Sequence, residues 1–103
     1  MKIVLVCAAG MSTSLIVVQM ELNTREEDQI IAIPANELAN RIDVCDVILV
    51  APQLRYKMDT INKIGETYNV PVELIDMRSY GKMDGKMILQ QAYGIVEKAK
   101  QGG

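Results

Sequence analysis

Lys2-Ile3-Val4-Leu5-Val6 runs without interruption into Cys7-Ala8-Ala9-Gly10-Met11-Ser12-Thr13-Ser14, and an apolar segment of helical spacing follows. The first five residues decide the fold class. Their apolar side chains occupy successive positions, not alternate ones. A strand buried on both faces reads this way, as in a parallel sheet covered by helices on each side. Of the eight residues after it all but Met11 are small or hydroxylated, with a glycine among them, and they read as a tight turn from strand into helix.

The same signatures recur along the chain. Asp46-Val47-Ile48-Leu49-Val50 repeats the fully apolar strand, and Gln29-Ile30-Ile31-Ala32-Ile33 and Val72-Glu73-Leu74-Ile75 are weaker versions. Glu73 suggests that the last strand lies at an edge. Between them the apolar period is that of a helix. Leu15, Val18 and Leu22 mark one face, Met58, Ile61, Ile64, Gly65 and Tyr68 a second, and Ile88, Ala92, Ile95, Val96 and Ala99 a third. Asn36 to Ile42 reads as one or two turns capped by Asn36. The order is β-α-β-α-β-α-β-α. It predicts an α/β fold: an open, doubly wound, four-stranded parallel sheet with helices on both faces. We expect residues 1–101 to form a single domain and 102–103 a tail. In such a sheet ligands bind beyond the carboxyl ends of the strands, at the switch point beside the first strand.

Composition narrows the chemistry. The chain has 103 residues, half of them apolar, and a formal net charge of -2. That is one core's worth of apolar material, without the basic footprint of a nucleic-acid binder. No apolar run approaches the roughly 20 residues of a spanning helix, and no secretory signal is recognisable. Histidine is absent. A histidine base, a phosphohistidine carrier and an imidazole-bound zinc are thereby excluded. The two cysteines, Cys7 and Cys45, form no C-x-x-C pair, and they predict free thiols in a cytoplasmic protein.

The loop after the first strand carries the chemistry. Ala8, Ala9, Gly10 and Met11 let successive backbone N–H groups turn inward, and Ser12, Thr13 and Ser14 add hydroxyl donors. The N-terminus of the following helix adds unpaired N–H groups and partial positive charge. Residues 8–14 therefore predict a phosphate-sized anion cradle with Cys7 on its rim. Donors of this kind favour the thiolate, which is the nucleophile, and stabilise phosphoryl oxygens in flight. We read Cys7 as a phosphoryl acceptor. No metal or cofactor is required, because backbone dipoles supply the positive field. A cysteine phosphatase uses C-x5-R, whose arginine forks the transferred group. Thr13 stands at that position, so the loop holds phosphate without hydrolysing it well. The Walker and dinucleotide glycine patterns are both absent. Cys45 lacks this setting and reads as core.

At these residues the sequence resembles the enzyme IIB component of the lactose/cellobiose (chitobiose) type of the bacterial sugar phosphotransferase system. The likeness covers nearly the whole chain. It rests on Cys-Ala-Ala-Gly-Met-Ser-Thr-Ser at 7–14, on Ala51-Pro52-Gln53-Leu54-Arg55-Tyr56, and on Ile75 to Gly85. One departure is the stretch Leu22 to Gln29, more polar and shorter than usual between first helix and second strand. The resemblance implies a four-stranded parallel sheet and a phosphocysteine carrier. In it, Cys7 takes a phosphoryl group from a phosphohistidine of the IIA partner. It passes the group to a sugar, of the cellobiose or lactose class, held by the membrane-embedded IIC partner.

Pro52, Gln53, Arg55 and Tyr56 follow the third strand and Tyr80 the fourth, so all five are expected at the same end of the sheet as Cys7. There they are candidates for supporting the phosphoryl group or meeting a partner. Asp76 would repel a phosphocysteine and is expected to face away or bind backbone, and Gly81 and Gly85 read as turn residues. Met11, Leu54 and Met77 are expected to form a small apolar docking rim. Three other readings remain at this point: a phosphatase-like hydrolase, a non-catalytic module of the same fold, and, more distantly, a receiver domain.

Overall fold

The computed structural model describes residues 1–8 and 13–102, with side chains over 1–8 and 15–101. Four parallel strands, β1 (Lys2–Cys7), β2 (Gln29–Pro34), β3 (Val47–Val50) and β4 (Val72–Leu74), lie in the order β2-β1-β3-β4. The two continuous apolar runs are the two central strands. From Ile3 to Val6 and from Val47 to Val50 no residue is more than 1% exposed. Glu73 is exposed on β4, which is an edge, as its polarity predicted.

Helices α1 (Thr13–Glu21) and α5 (Gly85–Gly102) cover one face. There Ile3 and Leu5 pack with Ile16, Met20, Ile88, Leu89 and Ala92. Helices α2 (Leu38–Arg41) and α3 (Met58–Thr67) cover the other. There Val4 and Val6 pack with Leu38, Leu54 and Ile61. Alternate β1 side chains thus feed two different cores, the period-2 consequence of a pleated strand. A short helix, α4 (Met77–Gly81), follows β4. α5 extends through Gly102, the first of the two residues expected as a tail.

Four local expectations are corrected. Leu15, Val18 and Leu22 do not face the core: they are 53%, 52% and 73% exposed, and Ile16 and Met20 are buried instead. α1 is apolar at positions 15–18 and again at 20, so its spacing fits two faces. The choice between them is made at Gly85, pressed so closely on the Gln19 and Met20 backbone that a Cβ there would collide with it. Gly85 is therefore a contact residue of α5 and not a turn residue. Asn36 caps nothing: it lies within a 3-10 turn, Ala35–Glu37, that leads into the four-residue α2. Leu54 belongs to no docking rim. The 3-10 segment Pro52–Lys57 turns it inward against Leu38 and Ile61, where it is 2% exposed.

Candidate functional site

The chain leaves β1 toward β2 on one side and later returns to β3 on the other. The carboxyl ends of β1 and β3 therefore flank the switch point, where crossovers leave a crevice. Cys7 is the last residue of β1, in register with Pro34 at the end of β2. It is a free thiol, 7% exposed. By strand alternation it continues the Ile3–Leu5 row, on the α1 side of the sheet. Among the described residues it is part of neither hydrophobic cluster. Cys45 is also a free, buried thiol, 9% exposed, but differs in placement. It precedes β3 at the opposite end of the sheet and packs into the α2–α3 core, and burial pushes its thiol up against the weaker pull of Lys2.

The segment after β3 emerges beside Cys7, and the segment after β4 one strand further out. Ala51 N–H donates to the Val6 carbonyl at 3.0 Å, and Ile75 N–H to the Val50 carbonyl at 2.8 Å. These bonds carry the ladder one residue beyond the strands and align the three exits on one edge. Pro52 is half-buried there, and Gln53 and Arg55 are exposed. Tyr56 is 76% exposed, with the Lys57 ammonium 5.9 Å from its ring centroid. Tyr80 is half-buried and packs against both clusters, which lie on opposite faces of the sheet. A side chain that touches both faces lies at the border of the sheet, and Tyr80 does so just after the edge strand β4. Met77 is 61% exposed, as expected of a rim residue.

Asp76 does what its charge required. Its carboxylate accepts the Ser79 N–H at 3.0 Å and the Ser79 hydroxyl at 3.1 Å, capping α4. Those Ser79 bonds hold its carboxyl below the usual range. Ser79, 8% exposed, is the one polar residue buried among those described. Its role follows the Asp-x-x-Ser capping pattern, a signal present in the sequence. Gln91 was not singled out by any local pattern, yet it holds the exit of β4.

Ala9, Gly10, Met11 and Ser12 lie outside the described residues. Thr13 and Ser14 open α1. Ala8 is half-buried beside the α2–α3 cluster. The cradle expected from residues 8–14 is therefore described only at its two ends, by the strand that delivers Cys7 and the helix that begins at Thr13. Among the described residues no group of His, Cys, Asp and Glu has metal-site geometry, and no helix is long and apolar enough to cross a membrane.

The model of the PTS system, Lactose/Cellobiose specific IIB subunit, family matches residues 2–91. The chain is 36% identical to the PTS system oligo-beta-mannoside-specific EIIB component of Bacillus subtilis (strain 168), covering 92% of this chain and 95% of that one. It is 32% identical to the PTS system cellobiose-specific EIIB component of Lactococcus lactis subsp. lactis (strain IL1403), over 91% and 94%. The solution structure of a cellobiose-specific phosphotransferase IIB component protein from Borrelia burgdorferi superposes with a TM-score of 0.77. That protein shares 35% identity, over 96% of this chain and 94% of its own.

Proposed function

The chain belongs to the lactose/cellobiose-specific IIB family of the phosphotransferase system, and from that membership we propose that Cys7 is its phosphoryl acceptor. A component of this kind is a phosphotransferase that relays phosphate in sugar transport. The observation that carries the assignment to Cys7 is placement. This free thiol ends β1 at the switch point, and α1 begins six residues later. Cys45, the other thiol, packs into the α2–α3 cluster at the far end of the sheet. Histidine is missing from the sequence, so the carried group rests on another residue type.

The donor is a phosphohistidine of the IIA partner. The Cys7 thiolate attacks phosphorus in line. The S–P bond forms as the P–N bond breaks, and the departing imidazole nitrogen keeps the electron pair and takes up a proton. In the second step a sugar hydroxyl oxygen attacks the same phosphorus, opposite sulfur. The O–P bond forms, the S–P bond breaks and the thiolate leaves, while the hydroxyl proton passes to a base outside this chain. The sugar is a disaccharide of the cellobiose or lactose class held by the IIC partner in the membrane, and this chain works at its cytoplasmic side. Amides of residues 8–14 and the α1 N-terminus stabilise the phosphoryl oxygens in both steps. Pro52, Gln53, Arg55, Tyr56 and Tyr80 surround them at the same end of the sheet. Thr13, where a phosphatase has arginine, leaves the phosphocysteine slow to hydrolyse.

The test is incubation with phosphorylated IIA, followed by intact mass and peptide mapping. We expect one phosphoryl group on Cys7, absent in Cys7→Ser and retained in Cys45→Ser. Label on any other residue refutes the assignment.

A further inference from the structure

β4 ends the sheet, so backbone groups on its outer side have no neighbouring strand. Such groups need partners from elsewhere. Ile75 N–H points inward, to Val50 of β3. By the alternation of a parallel ladder, the Leu74 carbonyl and the Asp76 N–H point outward. One side chain meets both. Gln91 of α5 donates through Nε2 to the Leu74 carbonyl at 2.8 Å and accepts the Asp76 N–H on Oε1 at 3.0 Å. Nε2 also lies 3.4 Å from Glu73 Oε1. Turning the amide over would break both backbone bonds, so its orientation is determined. This is the bond pair that a residue of a fifth parallel strand would make. The carboxamide stands in for that strand, opposite Ile75.

The clamp fixes the chain as it leaves the sheet. Asp76, held through its N–H, caps α4 through its carboxylate at Ser79. Tyr80 is the next residue; it follows β4 at the carboxyl end of the sheet and packs against both clusters. An unbroken series of bonds thus joins Gln91 to the turn that places Tyr80.

Resting on the Cys7 reading above, we propose that Gln91 is a positioning residue for phosphoryl transfer: it fixes the exit of β4, and through it Tyr80, at the end of the sheet where Cys7 stands. Gln91 touches no reacting atom. It acts through the placement of Tyr80, which follows β4 at the end of the sheet where Cys7 stands.

The experiment follows transfer from phosphorylated IIA to the full chain by rapid quench, at increasing IIA concentration. The proteins compared are the unmodified chain, Gln91→Met, Tyr80→Phe and the double variant, each verified as folded by circular dichroism at the assay temperature. Methionine matches the length of Gln91 without its amide. We expect Gln91→Met to lower the maximal rate about tenfold while the half-saturating IIA concentration stays within about twofold. Tyr80→Phe lowers the rate similarly, and the double variant is no slower than Gln91→Met alone, because both act through one group. A purely structural role lowers the melting temperature and leaves these rates additive or unchanged, and either result overturns the proposal. Should Gln91→Met fail to fold, Gln91→Asn, whose amide falls one methylene short, is read in the same way. Label away from Cys7 in the unmodified chain overturns the acceptor assignment and this inference with it. Label on Cys7 at an unaltered rate in Gln91→Met overturns this inference alone.

Discussion

Two glycines of α5 with opposite surroundings make the residue-scale argument concrete. Gly85 sits against the Gln19–Met20 backbone with no room for a Cβ, whereas nothing lies within 4 Å of the position a Cβ would take at Gly94. Backbone cannot yield as a flexible side chain can, so Gly85→Ala must push α5 away from α1. We expect it to destabilise the fold by about 2–3 kcal/mol. Gly94→Ala has the opposite sign. It is exposed and mid-helix, and removing glycine's excess unfolded-state freedom there stabilises by about 0.5–1 kcal/mol. Urea unfolding of the two variants checks both signs. Gly85 was legible in the sequence only as a turn former, since a glycine required by a neighbour looks the same as one required by its own backbone. Asp76 was better legible. A carboxylate at the end of a strand beside a loop expected to hold an anion has to be neutralised or turned away, and Ser79 three residues on supplies its partners.

Among the elements, α1 separates what periodicity can and cannot decide. Its helical character was evident from its apolar residues and hydroxylated start. Its inward face was not, because a helix apolar on most sides has no marked stripe. The structure buries Ile16 and Met20 and leaves Leu15, Val18 and Leu22 to solvent. Ile16→Ala is therefore expected to cost about 2–4 kcal/mol, and Leu15→Gln and Val18→Gln to change stability by less than about 0.5 kcal/mol. Thermal and urea unfolding of the three variants discriminate between the faces. If Leu15→Gln proves the costly one, the helix is rotated from the orientation described. β3 gave no such difficulty. Four consecutive apolar residues admit one reading in an alternating β-α order, a central strand covered on both sides.

For the whole molecule, the end of the sheet opposite Cys7 is closed by a polar network joining the N-terminus, the entry to β2 and the middle of α5. The Asp28 side chain is 2% exposed. It pairs with the Met1 ammonium at 3.3 Å, accepts the Arg25 N–H at 3.1 Å and accepts a hydrogen bond from the Tyr93 hydroxyl. The Arg25 guanidinium lies 4.4 Å from the Tyr93 ring centroid. Burial alone would raise the Asp28 carboxyl, but the bonds from Tyr93, Arg25 and the ammonium outweigh it and hold the carboxyl below its ordinary 3.8. Because the folded value is the lower one, this stabilisation is fully present above about pH 4 and fades as the pH falls through the folded value. Asp28→Asn is expected to cost about 1–3 kcal/mol at pH 7, and the gap to the unmodified chain narrows by pH 3, as urea midpoints at the two pH values will measure. Tyr93 works in the other direction. Burial first, and then Asp28, raise its hydroxyl, so its contribution is lost as the pH climbs past 10. The type and order of the elements, the central position of β1 and β3, and a thiol at the mouth of the first crossover were all determined by sequence, because run length, period and turn chemistry act over a few neighbours. The buried face of α1, the inward turn of Leu54, the Gln91 amide completing the edge of β4 and the junction of Met1, Asp28 and Tyr93 were decided by tertiary structure. Each depends on which distant surfaces meet, and residues far apart in the chain leave no local pattern that records their contact.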